Sequence, residues 1–194
     1  MSALSMPTRL VLPPSAFYNM FQSAVEVFPR ESDGYSFLNP QGRDLVVVRA
    51  CPIQTSKRGF GQVDFGNKAA MHRLTEFERA VSMNGHAGLI RGGYHSHTVK
   101  ESVSELSLGD LKFIRDELAK RENLDYWVEL IITLKERFYS TPSSPTARTW
   151  QSKNKLQAIV RPQANWGYRA SIGAYVVDRE EHIRELKVIT NGKP

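Results

Sequence analysis

The chain has a single cysteine, Cys51, in 194 residues. That excludes an internal disulfide framework, a Cys₄ or Cys₂His₂ zinc site and a CxxC redox pair. The Pro-Cys-x-x-Cys signature of zinc deaminases is excluded as well. No apolar run approaches the ~20 residues of a membrane helix. The opening MSALSMPTRLVLPP has neither a basic start nor a long apolar stretch. No secretory signal is expected, and the default compartment is the cytoplasm. There is no HExxH helix and no internal repeat. Hydrophobic residues make up 41% and charged residues 24%, values that exclude a wholly disordered chain. The length suits one domain.

What charge there is sits unevenly. Of 26 basic and 20 acidic residues, seven basic ones lie between Lys135 and Arg169: Lys135, Arg137, Arg148, Lys153, Lys155, Arg161 and Arg169. Glu136 is the one acid there, so this stretch holds the whole net excess of +6. Such a segment can bind nucleic acid, an anionic membrane or an acidic protein, or it can be a solvated loop. Nucleic acid and membrane are not the expected partners. Ser140 to Thr149 is rich in Ser, Thr and Pro. It reads as part of an exposed, flexible loop at about 137–155.

Phe17, Met20, Phe21, Ala24, Val25 and Phe28 recur at helical spacing, so a helix is expected from Pro14 or Ser15 to Pro29. Strands are expected at Gly34–Leu38 and Leu45–Val48, with a turn at Asn39–Gly42 between them. A second helix would run from a cap at Asn67 to Gly85, with Met71, Leu74, Phe77 and Val81 inward. Ala87–His97 reads as a strand, Ser107 to about Arg121 as a helix, and Trp127–Leu134 as a strand. Further strands follow at Leu156–Val160, Ala170–Val177 and Ile183–Ile189. This order predicts an α/β fold: a mixed, largely antiparallel sheet flanked by helices.

The chemistry concentrates in Gly92-Gly-Tyr-His95-Ser-His97 and Ser107-Leu-Gly-Asp110. Residues i and i+2 of a strand share a face, so His95 and His97 project together. Asp110, in the first turn of the next helix, can return to that face as a third ligand. Two imidazoles and a carboxylate suit Zn²⁺ and leave a fourth position for water. His-x-His alone is a weak signal. Ser107 and Asp110 also form a capping box, which would hold a helix start and fix Asp110 in place. Glu31, at the junction of the first helix and strand, could serve as the proton-transferring carboxylate, with Asp33 as its competitor. His72, His86 and His182 lack ligand spacing, and Cys51 reads as packing.

Taken together, Pro29/Glu31/Gly34, the helix before Gly85, Gly93-Tyr-His95-Ser-His97 and Ser107/Asp110 resemble, in order and motif, the JAMM (MPN-plus, or JAB) metalloprotease family. The likeness covers about residues 10–135. It implies one JAB/MPN domain over 1–194 with the cytidine-deaminase-like fold, closest to the prokaryotic JAB branch. It implies Zn²⁺ on His95, His97 and Asp110. Glu31 would act as general base and then acid, and Ser107 would hold the oxyanion. The implied reaction is hydrolysis of the peptide or isopeptide bond after a ubiquitin-like tail, for deconjugation or precursor processing. Conjugation enzymes of the E1 and E2 kind are possible partners. Residues 98–106 would form one wall of the groove. Two departures bear on that groove. Thr98 stands where the family usually has Pro, and twelve residues separate His97 from Asp110 where about ten are usual. Two other classes stay open: a DNA-repair-associated relative with an H-x-H…S-x-x-D core, and a non-catalytic scaffold.

Overall fold

Pro14 fixes the first turn of α1 (Pro14–Val27), where a missing N–H costs nothing. Ala16, Phe17, Met20, Phe21 and Ala24 form its buried face, as their spacing predicts. This is a computed structural model, and it describes residues 6–53, 57–58, 63–64, 72–73, 76, 90–97 and 105–190. Around α1 run β1 (Arg9–Val11), β2 (Asp33–Gln41) and β3 (Asp44–Pro52). A two-stranded ribbon follows, made of β4 (Lys57–Arg58) and β5 (Val63–Asp64). Then come β6 (Ile90–His97), α2 (Leu108–Lys120) and β7 (Tyr126–Phe138). The last four strands are β8 (Thr146–Ser152), β9 (Lys155–Gln163), β10 (Trp166–Asp178) and β11 (Ile183–Ile189).

The expectation of an α/β fold, a mixed and largely antiparallel sheet flanked by helices of the JAB/MPN, cytidine-deaminase-like kind, is overturned. The sheet runs β11-β1-β3-β2-β6-β7-β10-β9-β8, and β11 also pairs with β10. That second pairing closes seven strands into a barrel, with β9 and β8 continuing outward from β10. The described residues are mostly β, and α1 and α2 pack against a closed sheet. The physical reason lies in β1. Only three residues long, it pairs in parallel with both β3 and β11 and so joins the two ends of the sheet. Arg9 holds it to β3 through two hydrogen bonds to the Asp44 carboxylate, each 2.7 Å. Nothing in three residues announces such a role.

Alternation along the strands sorts side chains into two cores. Val128, Leu130, Ile132 and Leu134 of β7 join Ala170, Ile172, Ala174 and Val176 of β10 in the interior core, together with the buried face of α1. Trp127 of β7 faces the other way and packs with Tyr35, Phe37 and Val177 against Ile114 and Leu118 of α2. β7 is therefore buried on both faces, which explains its continuous apolar run. Cutting the fully buried Leu130 to Ala would cost about 2–5 kcal/mol.

Two smaller expectations also change. The turn after the first strand is at Gly42 (φ 62°), and β2 continues through Gln41. Much of the expected loop at 137–155 is strand. β8 pairs with β9 from Thr146↔Arg161 to Ser152↔Lys155, and its Thr and Trp residues suit a half-exposed ribbon. The two-residue turn between them has Lys153 at φ 53°. The helix expected from Asn67 to Gly85 lies outside the described residues, except that 72, 73 and 76 are helical. Residues 87–89 of the expected strand and 98–104 of the expected groove wall also lie outside them. No helix among the described residues is long and apolar enough to cross a membrane.

Candidate metal centre

β6 carries His95 and His97 on the outer face of the barrel, two residues apart as the period of a strand requires. The alternate residue Tyr94 points into the interior core. Ser96 is fully buried, and its hydroxyl accepts the Ser32 N–H at 2.8 Å. Its own N–H donates to the Ser32 carbonyl at 2.8 Å. These bonds continue the β2–β6 ladder beyond the Asp33↔His95 pair.

α2 delivers the third group. Ser107 is its N-cap, and the capping box is complete. The Asp110 N–H donates to Ser107 Oγ at 3.2 Å, and the Ser107 N–H donates to Asp110 Oδ2 at 2.7 Å. Asp110 thus commits one carboxylate oxygen to the helix start. The other, Oδ1, lies 3.4 Å from His95 Nε2. His95 Nε2 and His97 Nε2 are 2.9 Å apart. The three side chains each offer one ligand atom within 4.8 Å of the others. The edge of a tetrahedron of ligands at zinc-like bond lengths is ~3.3 Å, between the two shorter separations. His95, His97 and Asp110 could therefore hold a metal ion.

A fourth residue, absent from the sequence expectations, completes the arrangement. Glu129 of β7 is 3% exposed. Its Oε1 lies 2.8 Å from His95 Nδ1, and its Oε2 accepts the Trp127 indole N–H at 2.8 Å. A neutral His95 that donates Nδ1–H to Glu129 presents a bare Nε2 lone pair to the other ligands. Metal-binding histidines are commonly oriented by a carboxylate in this way. Gly93, paired with Glu129 in the parallel register, makes the room. A Cβ on Gly93 would sit 2.8 Å from Glu129 Oε2. The sequence did hold a signal: one carboxylate inside the apolar run Trp127-Val-Glu129-Leu-Ile-Ile.

The electrostatics follow from this crowding. Burial alone would lower the pKa of His95. The hydrogen bonds and charges of Asp110 and Glu129 instead push it up to about 10. Burial would raise Asp110, but His95 and the Ser107 bonds hold it down to about 2. Glu31, 7% exposed, is raised above the usual carboxylate range, mainly by burial and further by Asp110, with His95 opposing. Asp33, the competing carboxylate, is buried at the first β2–β6 pair, opposite His95.

α2 is held on the barrel by a buried polar cluster. Glu117, 1% exposed, accepts from Tyr35 Oη at 3.3 Å, from Lys120 Nζ at 2.8 Å and from Arg121. The Arg121 guanidinium lies over the Trp127 ring, 5.5 Å from its centroid. Arg179 satisfies the C-terminal carbonyls, donating to the Arg121 and Leu124 oxygens at 2.8 Å each. Of the other histidines, His72 is exposed, and His182 pairs with Asp178 at 3.0 Å in a surface turn. His86 lies outside the described residues. Cys51 is half-buried on β3, and burial raises its thiol, consistent with packing.

No protein-family model matches the chain, and no curated protein matches it. Among solved structures, the chain is similar to the solution structure of protein DSY2949 from Desulfitobacterium hafniense. The TM-score is 0.51 at 15% identity, over 95% of this chain and 94% of that one. At that identity the likeness speaks to the fold alone.

Proposed function

We propose that the protein is a zinc-dependent peptidase of the JAMM type, hydrolysing the peptide or isopeptide bond after a ubiquitin-like tail. The observation that carries this reading is the convergence of His95 Nε2, His97 Nε2 and Asp110 Oδ1. The donor set of two imidazoles and one carboxylate is that of catalytic zinc, with a position left for water. Zinc on these three residues would supply Lewis acidity and lower the pKa of a water toward about 7.

The protein groups then divide the proton work. Glu31 takes a proton from the attacking water and returns it to the leaving amine. A carboxyl raised by burial is the better matched to do both near neutral pH. Ser107 Oγ accepts the Asp110 N–H, which leaves its own hydrogen free of that bond to donate to a developing oxyanion. Glu129 keeps His95 in the tautomer that a metal needs. Enzymes of the E1 and E2 kind would be the natural source of conjugated substrate.

The test begins with elemental analysis of purified protein beside a His95→Ala/His97→Ala variant. The expected result is about one zinc per chain, lost in the variant. A ubiquitin-like protein with a C-terminal extension should then be cleaved by the wild type and not by Glu31→Ala. No metal after reconstitution with zinc would sink the proposal.

A further inference from the structure

The basic stretch is not spread around the molecule. Cross-strand pairing places His97, Thr133, Ser171, Gln157 and Trp150 in one row over β6, β7, β10, β9 and β8. Opposed residues share a face of a sheet, so this row lies on the outer face with the metal ligands. The next row on that face is Lys135, Arg169, Ile159 and Arg148. Two residues further on stand Arg137, opposite Gly167, and Arg161, opposite Thr146. Glu136, the one acid of the stretch, alternates onto the opposite face, where it accepts the Trp166 indole N–H. Five of the seven basic residues thus lie on one face of the sheet formed by β7, β10, β9 and β8. Its first basic row is about 7 Å along the strands from His97.

From this placement we propose that the outer face of β7–β10–β9–β8 is a docking surface for an acidic polypeptide face, the folded body of the substrate whose tail enters the metal centre. The identification of the partner as substrate rests on the peptidase reading above. Charge complementarity chooses the partner. Arg148, Arg169 and Arg137 are exposed, and Thr133, Ser171 and Gln157 between them and the histidines are uncharged. Four strand spacings, about 19 Å, separate the His97 column from β8, a width that suits the contact patch of a small domain. A polypeptide is favoured over nucleic acid by what covers the aromatic rings. Arg169 lies over Trp150 at 5.9 Å, and Arg161 lies over Tyr139 at 3.8 Å. Guanidinium groups occupy the ring faces on which bases would stack. A body docked here would place an extended tail within about two residues of the ligands.

The test uses the full chain and labelled probes: a (Asp-Glu)₆ peptide, a (Lys)₁₂ peptide and a 20-mer of deoxythymidine, read by anisotropy at 50 and 200 mM NaCl. Arg148→Glu/Arg169→Glu should weaken binding of the acidic peptide at least tenfold. Arg43→Glu/Arg184→Glu changes the net charge equally, in the β2–β3 turn and on β11, and should alter binding less than twofold. Equal weakening by both variants, or tighter binding of the oligonucleotide than of the acidic peptide, would overturn the proposal. A second arm separates it from the peptidase reading. A fluorogenic Gly-Gly substrate is assayed with and without the acidic peptide fused to its N-terminus. The fused substrate should show a lower KM, and Arg148→Glu/Arg169→Glu should remove that gain with kcat unchanged. Cleavage with no gain from the acidic extension overturns docking and leaves the peptidase reading intact. Specific binding with no cleavage of either substrate overturns the peptidase reading and leaves the surface.

Discussion

Replacing Glu129 by Gln tests the metal centre at a residue that touches no metal. Glu129 receives two donors, the His95 Nδ1–H at Oε1 and the Trp127 indole N–H at Oε2, each at 2.8 Å. A carboxylate accepts at both oxygens, whereas a carboxamide accepts at one and donates at the other. If the oxygen of the new amide turns to His95, its NH₂ meets the indole N–H, and a buried donor goes unpaired at about 1–3 kcal/mol. If it turns to Trp127, its NH₂ faces Nδ1, and His95 must carry its proton on Nε2, where the metal needs a lone pair. The first arrangement costs stability and the second costs metal affinity, so a chain that avoids the first penalty binds zinc more weakly. Loss of such an orienting partner typically lowers metal affinity about 10–100-fold, roughly 1.4–2.7 kcal/mol. The assay is a zinc competition titration against a chromophoric chelator. Adding Trp127→Phe removes the competing donor, so the amide oxygen can serve His95. The double variant should therefore bind zinc more tightly than Glu129→Gln alone, although losing the buried indole lowers its Tm. A Glu129→Gln affinity within twofold of wild type, or a double variant weaker than both singles, would refute the reasoning.

Other outcomes follow from the same geometry. Gly93→Ala places a Cβ 2.8 Å from Glu129 Oε2 and should weaken zinc binding in the direction of Glu129→Gln, by the same titration. Glu31→Gln should lower kcat about 10²–10⁴-fold and leave the zinc Kd within a few-fold, by kinetics and competition titration in parallel. Ser107→Ala removes the N-cap acceptor, so about 1 kcal/mol of stability should be lost in urea titration, and zinc affinity should fall with it. In the metal-free protein the pH dependence has a defined sign. His95, raised from 6.5 to about 10, contributes stability that is complete below 6.5 and is lost as pH rises through about 10. Asp110, lowered from 3.8 to about 2, contributes stability present above 3.8 and lost as pH falls through about 2. The Tm of the metal-free protein should decline from pH 7 to 10, and His95→Ala should flatten that decline. Zinc uptake at pH 7 should release about one proton from His95, measurable by calorimetry in buffers of differing ionisation enthalpy.

The grouping of His95, His97 and Asp110, which could hold a metal ion, was legible because two local rules bring them together. Strand alternation joins His95 to His97, and the capping box sets Asp110 at a helix start beside them. Glu31 stands between the first helix and strand, as its sequence position indicates, and it is buried there. Glu129 was not anticipated, because its meaning depends on pairing with Gly93 in a parallel register that no local pattern encodes. Barrel closure was illegible for a similar reason. β1 is three residues long, and its partners begin at Asp44 and Lys187. β8 hid behind Pro142 and Pro145, whose turn signals mask the strand that starts directly after them. α1, by contrast, was marked by both its apolar period and its prolines, and its observed bounds follow them.

The pairing of Arg9 with Lys187 also sets an order for synthesis on the ribosome. Every residue of the candidate centre, from Glu31 to Glu129, is made before β11. Until then β1 has β3 on one side and an empty edge on the other, and the barrel is a curled, open sheet. Closure joins segments almost the full chain apart, a contact of high order that comes late and slowly. The nascent chain can therefore gather its histidines and carboxylates while one seam is still open. A truncation that removes Ile183–Ile189 would hold the protein at that stage, exposing an unpaired edge able to recruit another chain.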